Sequence, residues 1–186
     1  MPRPTSFTDQ RFPSSRLSIR ACDEQDMPSV TEIYRHHVLH SPATFEIEPP
    51  SHAEMARRRS DLFDKGFPYL VAERDGIILG YAHVGPYRAR PAYRYTIENS
   101  VYVRPGYERQ GLGRLLMGTL LAECATKDFH QVIAVIGDST NVASIRLHEE
   151  LGFRKVGTLQ SVGFKFQRWL DTVLMQREIG DRKTIS

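Results

Sequence analysis

The sequence predicts an α/β protein of the α+β type, with one mixed central sheet and helices on both faces. Three observations carry this. The segment 68–84, PYLVAERDGIILGYAHV, is two apolar runs joined at Asp75-Gly76, a hairpin signal that puts antiparallel strands in the first half. The segment 95–103, YTIENSVYV, alternates like a strand; Gly111 and Gly113 follow, and RLLMGTLLAECATK then repeats apolar residues at helical spacing. Last, QVIAVIG reads as a buried strand and NVASIRLHEELGF as a helix stopped at Gly152. A meander followed by strand–helix units closes most simply as one sheet.

In chain order, RLSIRAC (16–22) reads as a short first strand. A helix follows, capped by Asp23 with Asp26 three residues on, its apolar stripe being Met27, Val30, Tyr34 and Val38. SPATFEIEPP is a loop. Ser51 and Glu54 form a capping box for a second helix, which Gly66 and Pro68 end, and Arg57-Arg58-Arg59 reads as its solvated face. GPYRARPAYR is an arginine-rich loop before the 95–103 strand. In the helix after the glycines, Leu116, Leu120, Leu121 and Cys124 share a face, so Cys124 reads as a packing residue. FRKVGTL and TVLMQRE are expected as two last strands, joined by a loop carrying KFQRWLD, with Lys165, Trp169 and Asp171.

The 186 residues suit one domain, expected over 17–178, with an N-terminal extension over 1–16 and a tail over 179–186. Hydrophobic residues make up 40%, enough for a core, yet no apolar run approaches the ~20 residues of a membrane span. The Pro- and Ser-rich first residues lack a signal-peptide core, so a cytoplasmic protein is expected. Cys22 and Cys124 show neither a C-x-x-C pair nor a metal-ligand spacing; reduced thiols and no metal are expected. The net charge of +3, with scattered basic residues, does not suggest a nucleic-acid partner and suits a small polyanion equally well.

The glycines are the sharpest signal. A flexible loop is one reading. The other is an anion site, because a strand, a Gly-rich turn and a helix start leave backbone N–H groups free, with Arg109 and Arg114 beside them. A Rossmann site would need a third glycine where Leu116 stands, and a P-loop needs G-K-[ST], which is missing. ERQGLG, preceded by VYV and followed by NVASIRLHEELGF, resembles the acetyl-CoA signature of the GNAT N-acetyltransferases. SPATFEIEP, GFPYLVAE, GYAHVGPYRARPAYRYTIENSVYV, LHEELGF and KFQRWLD resemble its phosphinothricin or methionine sulfoximine N-acetyltransferase subgroup, over about Leu17 to Glu178.

The resemblance implies acetyl-CoA as co-substrate. Its pyrophosphate would lie on the backbone of Arg109, Gln110, Gly111, Leu112, Gly113 and Arg114. The backbone of Val101, Tyr102 and Val103 would hold the thioester and pantetheine, and Asn141 and Ser144 would face the coenzyme. Glu108 departs from the Gln or Arg of the family pattern; the glycine spacing does not. Amine acylation needs a deprotonated amine and a stabilised thioester oxygen. Alternation places Glu98 with Arg94, Thr96 and Ser100 on one side, and Tyr95, Ile97, Asn99 and Val101 on the other. Glu98 is either salt-bridged to an arginine or, as the resemblance implies, the general base. His148 lies on one helix face with Asn141 and Ser144; it is a packing histidine or the acid for the departing thiolate. Arg88, Arg90 and Arg94 are a solvated loop or a clamp for an anionic amino acid, with Phe45 and Tyr93 as walls. A homodimer is implied by the subgroup. The rivals are a related enzyme acting on another amine (a polyamine or a protein N-terminus) and a non-catalytic acyl-CoA sensor.

Overall fold

The computed structural model describes residues 16–180. The expected terminal segments up to residue 15 and from residue 181 lie outside them. Ile179 is buried in the core, so the packed unit extends one residue past Glu178.

The elements follow the expected order. β1 (Ser18–Ala21) leads through a 3-10 turn into α1 (Met27–His40). Asp23 accepts from the N–H groups of Gln25 and Asp26, and the Asp26 carboxylate accepts from Asp23 N–H, so two orphan ends satisfy each other. α2 (His52–Asp64) starts on Ser51, whose hydroxyl accepts from Glu54 N–H. The box stays half-closed, because the Glu54 carboxylate pairs with Arg57 and Arg58. The arginine run is not simply a solvated face: Arg58 also pairs with Glu46, and Arg59 donates to the Cys22 carbonyl. The run ties α2 to the loop before it and to the end of β1.

β2 (Tyr69–Arg74) and β3 (Ile77–Pro86) turn at Asp75-Gly76, both left-handed, with φ 52° and 78°. Then come β4 (Thr96–Val103), α3 (Leu112–Ala125), β5 (Gln131–Gly137), α4 (Val142–Glu150), β6 (Arg154–Lys165) and β7 (Arg168–Glu178). KFQRWLD is not a loop. β6 and β7 form one long hairpin with a two-residue turn at Phe166-Gln167, whose φ angles are 52° and 57°. These residues lack the Asn-Gly signature of such turns, which hides the turn in the sequence.

The seven strands run β1-β2-β3-β4-β5-β7-β6 in one mixed sheet. α1 and α2 bury Met27, Val30, Ile33, Tyr34, Val38 and Met55 against one face, with Tyr69, Val71 and Tyr81. On the other face α3 buries Leu112, Leu116, Met117, Leu120, Leu121 and Cys124 against Ile97, Val132, Ala134 and Val173, and α4 adds Ile145 and Leu147. Burial also pushes the Cys124 thiol up to about 12, in keeping with a packing role.

β4 and β5 are parallel, and they pair only from Thr96↔Gln131 to Asn99↔Ala134. Beyond that point β4 stays on β3 as far as Val103↔Gly80, while β5 stays on β7 as far as Gly137↔Thr172. The two middle strands therefore part company, and the sheet opens at its centre.

Candidate active site

The opening leaves backbone groups without a ladder partner. Gln131 N–H donates to Tyr95 O on the β5 side, and Arg104 N–H donates to Leu79 O on the β3 side. Alternation then turns the backbone of Val101 and Val103 toward the gap and that of Tyr102 toward β3. The Tyr102 carbonyl accordingly lies against Gly80. This corrects one expectation: of Val101, Tyr102 and Val103, the middle residue spends its N–H on the sheet. Its ring packs on Tyr34, His37 and Tyr81. Val103 O accepts from His37 Nε2 at 2.9 Å, so Val101 presents the open pair of groups.

A cavity of about 250 Å³ occupies the gap, lined by Glu98 to Tyr102, Ala134 to Gly137, Tyr34, Ala43 to Phe45, Asn141, Ser144 and His148. Glu98 stands at its margin, opposite Gly85 on one side and Ile133 on the other. The expected alternative, an arginine salt bridge, is not made: the Glu98 carboxylate has no ion pair or hydrogen bond among the described residues. Burial raises its carboxyl above the ordinary value, making it a stronger base than a surface carboxylate.

Asn141, Ser144 and His148 all line the cavity, as their helical spacing predicts. Asn141 caps α4 through Ser144 N–H at 3.2 Å and faces the cavity as well. His148 is 2% exposed. Its Nδ1 sits 2.8 Å from Ser144 O and its Nε2 2.9 Å from Asn99 Nδ2, with Phe153 edge-on at 4.9 Å. Burial lowers its pKa, partly offset by the Ser144 carbonyl. Asn99 was not singled out from the sequence. The signal was there: alternation put it among Tyr95, Ile97 and Val101, and an amide on an apolar face needs a partner.

The glycine turn has the expected form. Gly111 is the N-cap of α3 with φ 79°, and Arg109 is also left-handed at 60°. The first bond into the helix is Leu115 N–H to Gly111 O. Leu112, Gly113 and Arg114 N–H groups have no acceptor among the described residues, and the space beyond Gly111 is open. Glu108, itself exposed, accepts from Gly106 N–H at 2.8 Å, so it braces the turn. Gln110 is exposed, as is Arg114, which rests 3.4 Å from Glu150. These donors suit an anionic group such as a pyrophosphate.

Phe45 lines the cavity on the loop after α1. That loop is held closely: a Cβ on Gly137 would overlap Pro42 O, and one on Gly163 would overlap the Phe45 ring. Lys165 Nζ donates to Ser41 O at 2.9 Å and Thr44 O at 2.7 Å. Tyr34 and Thr44 share a hydrogen bond of 2.9 Å below it. Arg88, Arg90, Tyr93 and Arg94 do not line this cavity. Tyr93 lines a neighbouring hollow with Tyr87, Thr96 and Ile133, on the side of the sheet that Glu98 faces. Arg88 lies over the Tyr87 and Tyr93 rings at 5.2 and 6.0 Å, and Arg94 over Tyr95 at 4.4 Å. None of the three arginines pairs with a carboxylate among the described residues.

Comparison with known proteins agrees with this geometry. The family described as "Acetyltransferase (GNAT) family" matches residues 31–153. Phosphinothricin N-acetyltransferase of Alcaligenes faecalis is 51% identical over 162 residues, 87% of this chain and 82% of that protein. The L-methionine sulfoximine/L-methionine sulfone acetyltransferase of Salmonella typhimurium is 39% identical, over 89% of this chain and 96% of the relative. The crystal structure of a phosphinothricin acetyltransferase from Sinorhizobium meliloti in complex with acetyl-CoA superposes with a TM-score of 0.87 at 42% identity, covering 91% of this chain and 92% of that one. A sheet opened between two parallel strands, a free-amide turn at the start of α3 and a carboxylate at the gap thus accompany likeness over most of the chain, and the chain belongs to the GNAT acetyltransferase family.

Proposed function

We propose that this enzyme transfers the acetyl group of acetyl-CoA to the α-amine of a small anionic amino-acid analogue, such as phosphinothricin or methionine sulfoximine. One observation carries the reading: Glu98, a partly buried carboxylate with no partner among the described residues, borders the cavity where the sheet opens. Acetyl-CoA supplies an activated acyl group with a thiolate leaving group. The backbone N–H groups of residues 109–114 would hold its pyrophosphate, and the open groups of Val101 with Asn141 and Ser144 would hold its arm.

An α-amine is mostly protonated at neutral pH, with a pKa of about 8. Glu98 takes one proton from the ammonium, directly or through a water. The freed lone pair then attacks the thioester carbon, and a backbone N–H in the gap meets the oxygen as its charge develops. When the C–S bond breaks, the second proton released from nitrogen neutralises the sulfur, so charge balances. Arg88 and Arg90, free of carboxylate partners among the described residues, offset the negative charge of Glu98 for an anionic acceptor. The exposed apolar residues of the β6–β7 hairpin, among them Val162, Phe164 and Trp169, support a homodimer. Two free buried thiols support a cytoplasmic location.

The test is a panel of amines assayed by thiol release, with Glu98→Gln alongside. Turnover on the amino-acid analogues should exceed that on polyamines and peptides. The variant should lose about a hundredfold or more and still bind acetyl-CoA. Full turnover by Glu98→Gln would remove the base, and equal turnover on all amines would remove the acceptor class.

A further inference from the structure

His148 and Asn99 form a hydrogen-bonded pair whose orientation follows from one fixed group. Ser144 O is a carbonyl and can only accept, so His148 Nδ1, 2.8 Å away, carries the hydrogen. In the neutral ring Nε2 is then an acceptor. The Asn99 group 2.9 Å from it must be the amino group, with the amide the way round that the structure has it. The second Asn99 N–H points at Met117 Sδ, 3.7 Å away. The amino group is fully used. The other end is not: Asn99 Oδ1 is buried with no partner among the described residues, on a residue 7% exposed that lines the cavity. A buried amide oxygen left unpaired forfeits the hydrogen bond it would make in water. A ligand that brings an N–H restores that bond.

Resting on the acetyl-CoA reading above, we infer that Asn99 is a further coenzyme-contacting residue, its Oδ1 accepting an amide N–H of the pantetheine arm, and that His148 is the positioning residue that aims it. The side of the sheet decides between the coenzyme and the acceptor amine. Asn99 shares the α3–α4 face with Asn141, Ser144 and His148, whereas Glu98 projects to the opposite face. The coenzyme arm carries two secondary amides, each with one N–H. His148 in this arrangement has no proton at Nε2 to give to sulfur. Among the described residues its ring meets Asn99 on β4, Ser144 on α4 and Phe153, none of them charged.

The experiment uses the whole enzyme in two measurements. Nitrogen-15 NMR of the histidine rings near pH 7 should show His148 protonated at Nδ1 and bare at Nε2; an imidazolium, or a hydrogen on Nε2, overturns the inference. Calorimetric titration with acetyl-CoA, without acceptor, should show Asn99→Leu and His148→Leu each weakened about threefold to tenfold, the loss of one hydrogen bond. The double variant should be no weaker than Asn99→Leu alone, because His148 acts through Asn99. His148→Gln, which offers an acceptor and no titrating proton, should bind better than His148→Leu. Parental affinity in Asn99→Leu, additive losses, or His148 variants that lose turnover while binding normally would each overturn it. If acetyl-CoA fails to bind the parent enzyme, the functional reading falls and the NMR result still stands by itself.

Discussion

Replacing Lys165 by Met should loosen the acceptor side of the site while sparing the coenzyme side. Lys165 is 5% exposed, and its ammonium donates to Ser41 O and Thr44 O, holding the loop that carries Phe45. A hydrogen bond from a charged donor is worth about 1.5–3 kcal/mol, so two give roughly 3–6 kcal/mol gross. Part is already spent on burying the ammonium, which shows as a lowered Lys165 pKa. A net loss of about 2–3 kcal/mol remains once the freed Ser41 carbonyl reaches water. At roughly 2–4 °C per kcal/mol for a domain of this size, the melting temperature falls by about 4–12 °C. Phe45 then samples other positions, and the acceptor KM rises about tenfold for each ~1.4 kcal/mol of lost order. Calorimetry and acceptor kinetics read the two effects, with acetyl-CoA titration as the reference. An unchanged melting temperature, or an acetyl-CoA affinity that falls in step with the acceptor, would refute the reasoning.

Glu98→Gln should melt higher than the parent near pH 7. Burial raises the folded-state pKa of Glu98, so its contribution to stability is fully present below the unfolded value of about 4.3 and is lost as pH rises through the folded value. The gap should therefore close below about pH 4, in melts recorded across pH; a parent that melts higher at pH 7 contradicts this. Gly111→Val combines a β-branched residue at φ 79° with methyls in open space, and should weaken acetyl-CoA binding more than tenfold by titration. Gly118→Ala, inside α3 and also facing open space, is its control and should bind as the parent does. Arg88→Ala and Arg90→Ala should lower catalytic efficiency about tenfold to a hundredfold with phosphinothricin, the loss of a bond to a charged group, and spare neutral amines. Equal behaviour with all acceptors would reduce these arginines to a solvated loop.

Much of the fold could be read from local signals because they reinforce one another. Asp75-Gly76 turns where two apolar runs meet, and Gly111 caps where the apolar helix begins. Asn141, Ser144 and His148 come to one cavity because 3.6-residue periodicity leaves no other choice. What stayed hidden depends on contacts distant in sequence. Phe166-Gln167 makes a tight turn without turn residues, since the pairing of β6 with β7 imposes it. The parting of β4 from β5 has no mark in either strand; it follows from what each pairs with on its far side. That parting decides which backbone groups face the gap, and so why Val101 faces it while Tyr102 is spent on β3. Asn99 shows a third kind of limit. Its unusual place on an apolar face was legible, while the direction of its amide is set by a carbonyl on α4.

The gap in the sheet also determines how this protein responds to mutation. The main-chain groups that it exposes, those of Val101 above all, belong to a strand clamped to β3 over its full length. Ordinary side-chain exchange at Val101 leaves the peptide N–H in place; only proline deletes it. The roles proposed for Glu98, Phe45 and the arginine loop, by contrast, rest on side-chain atoms that a single codon change replaces. Descendants of such a sequence can thus drift from one amine to another while their grip on the acyl donor persists. The feature that makes the reaction class durable is the same one that leaves the acceptor free to vary.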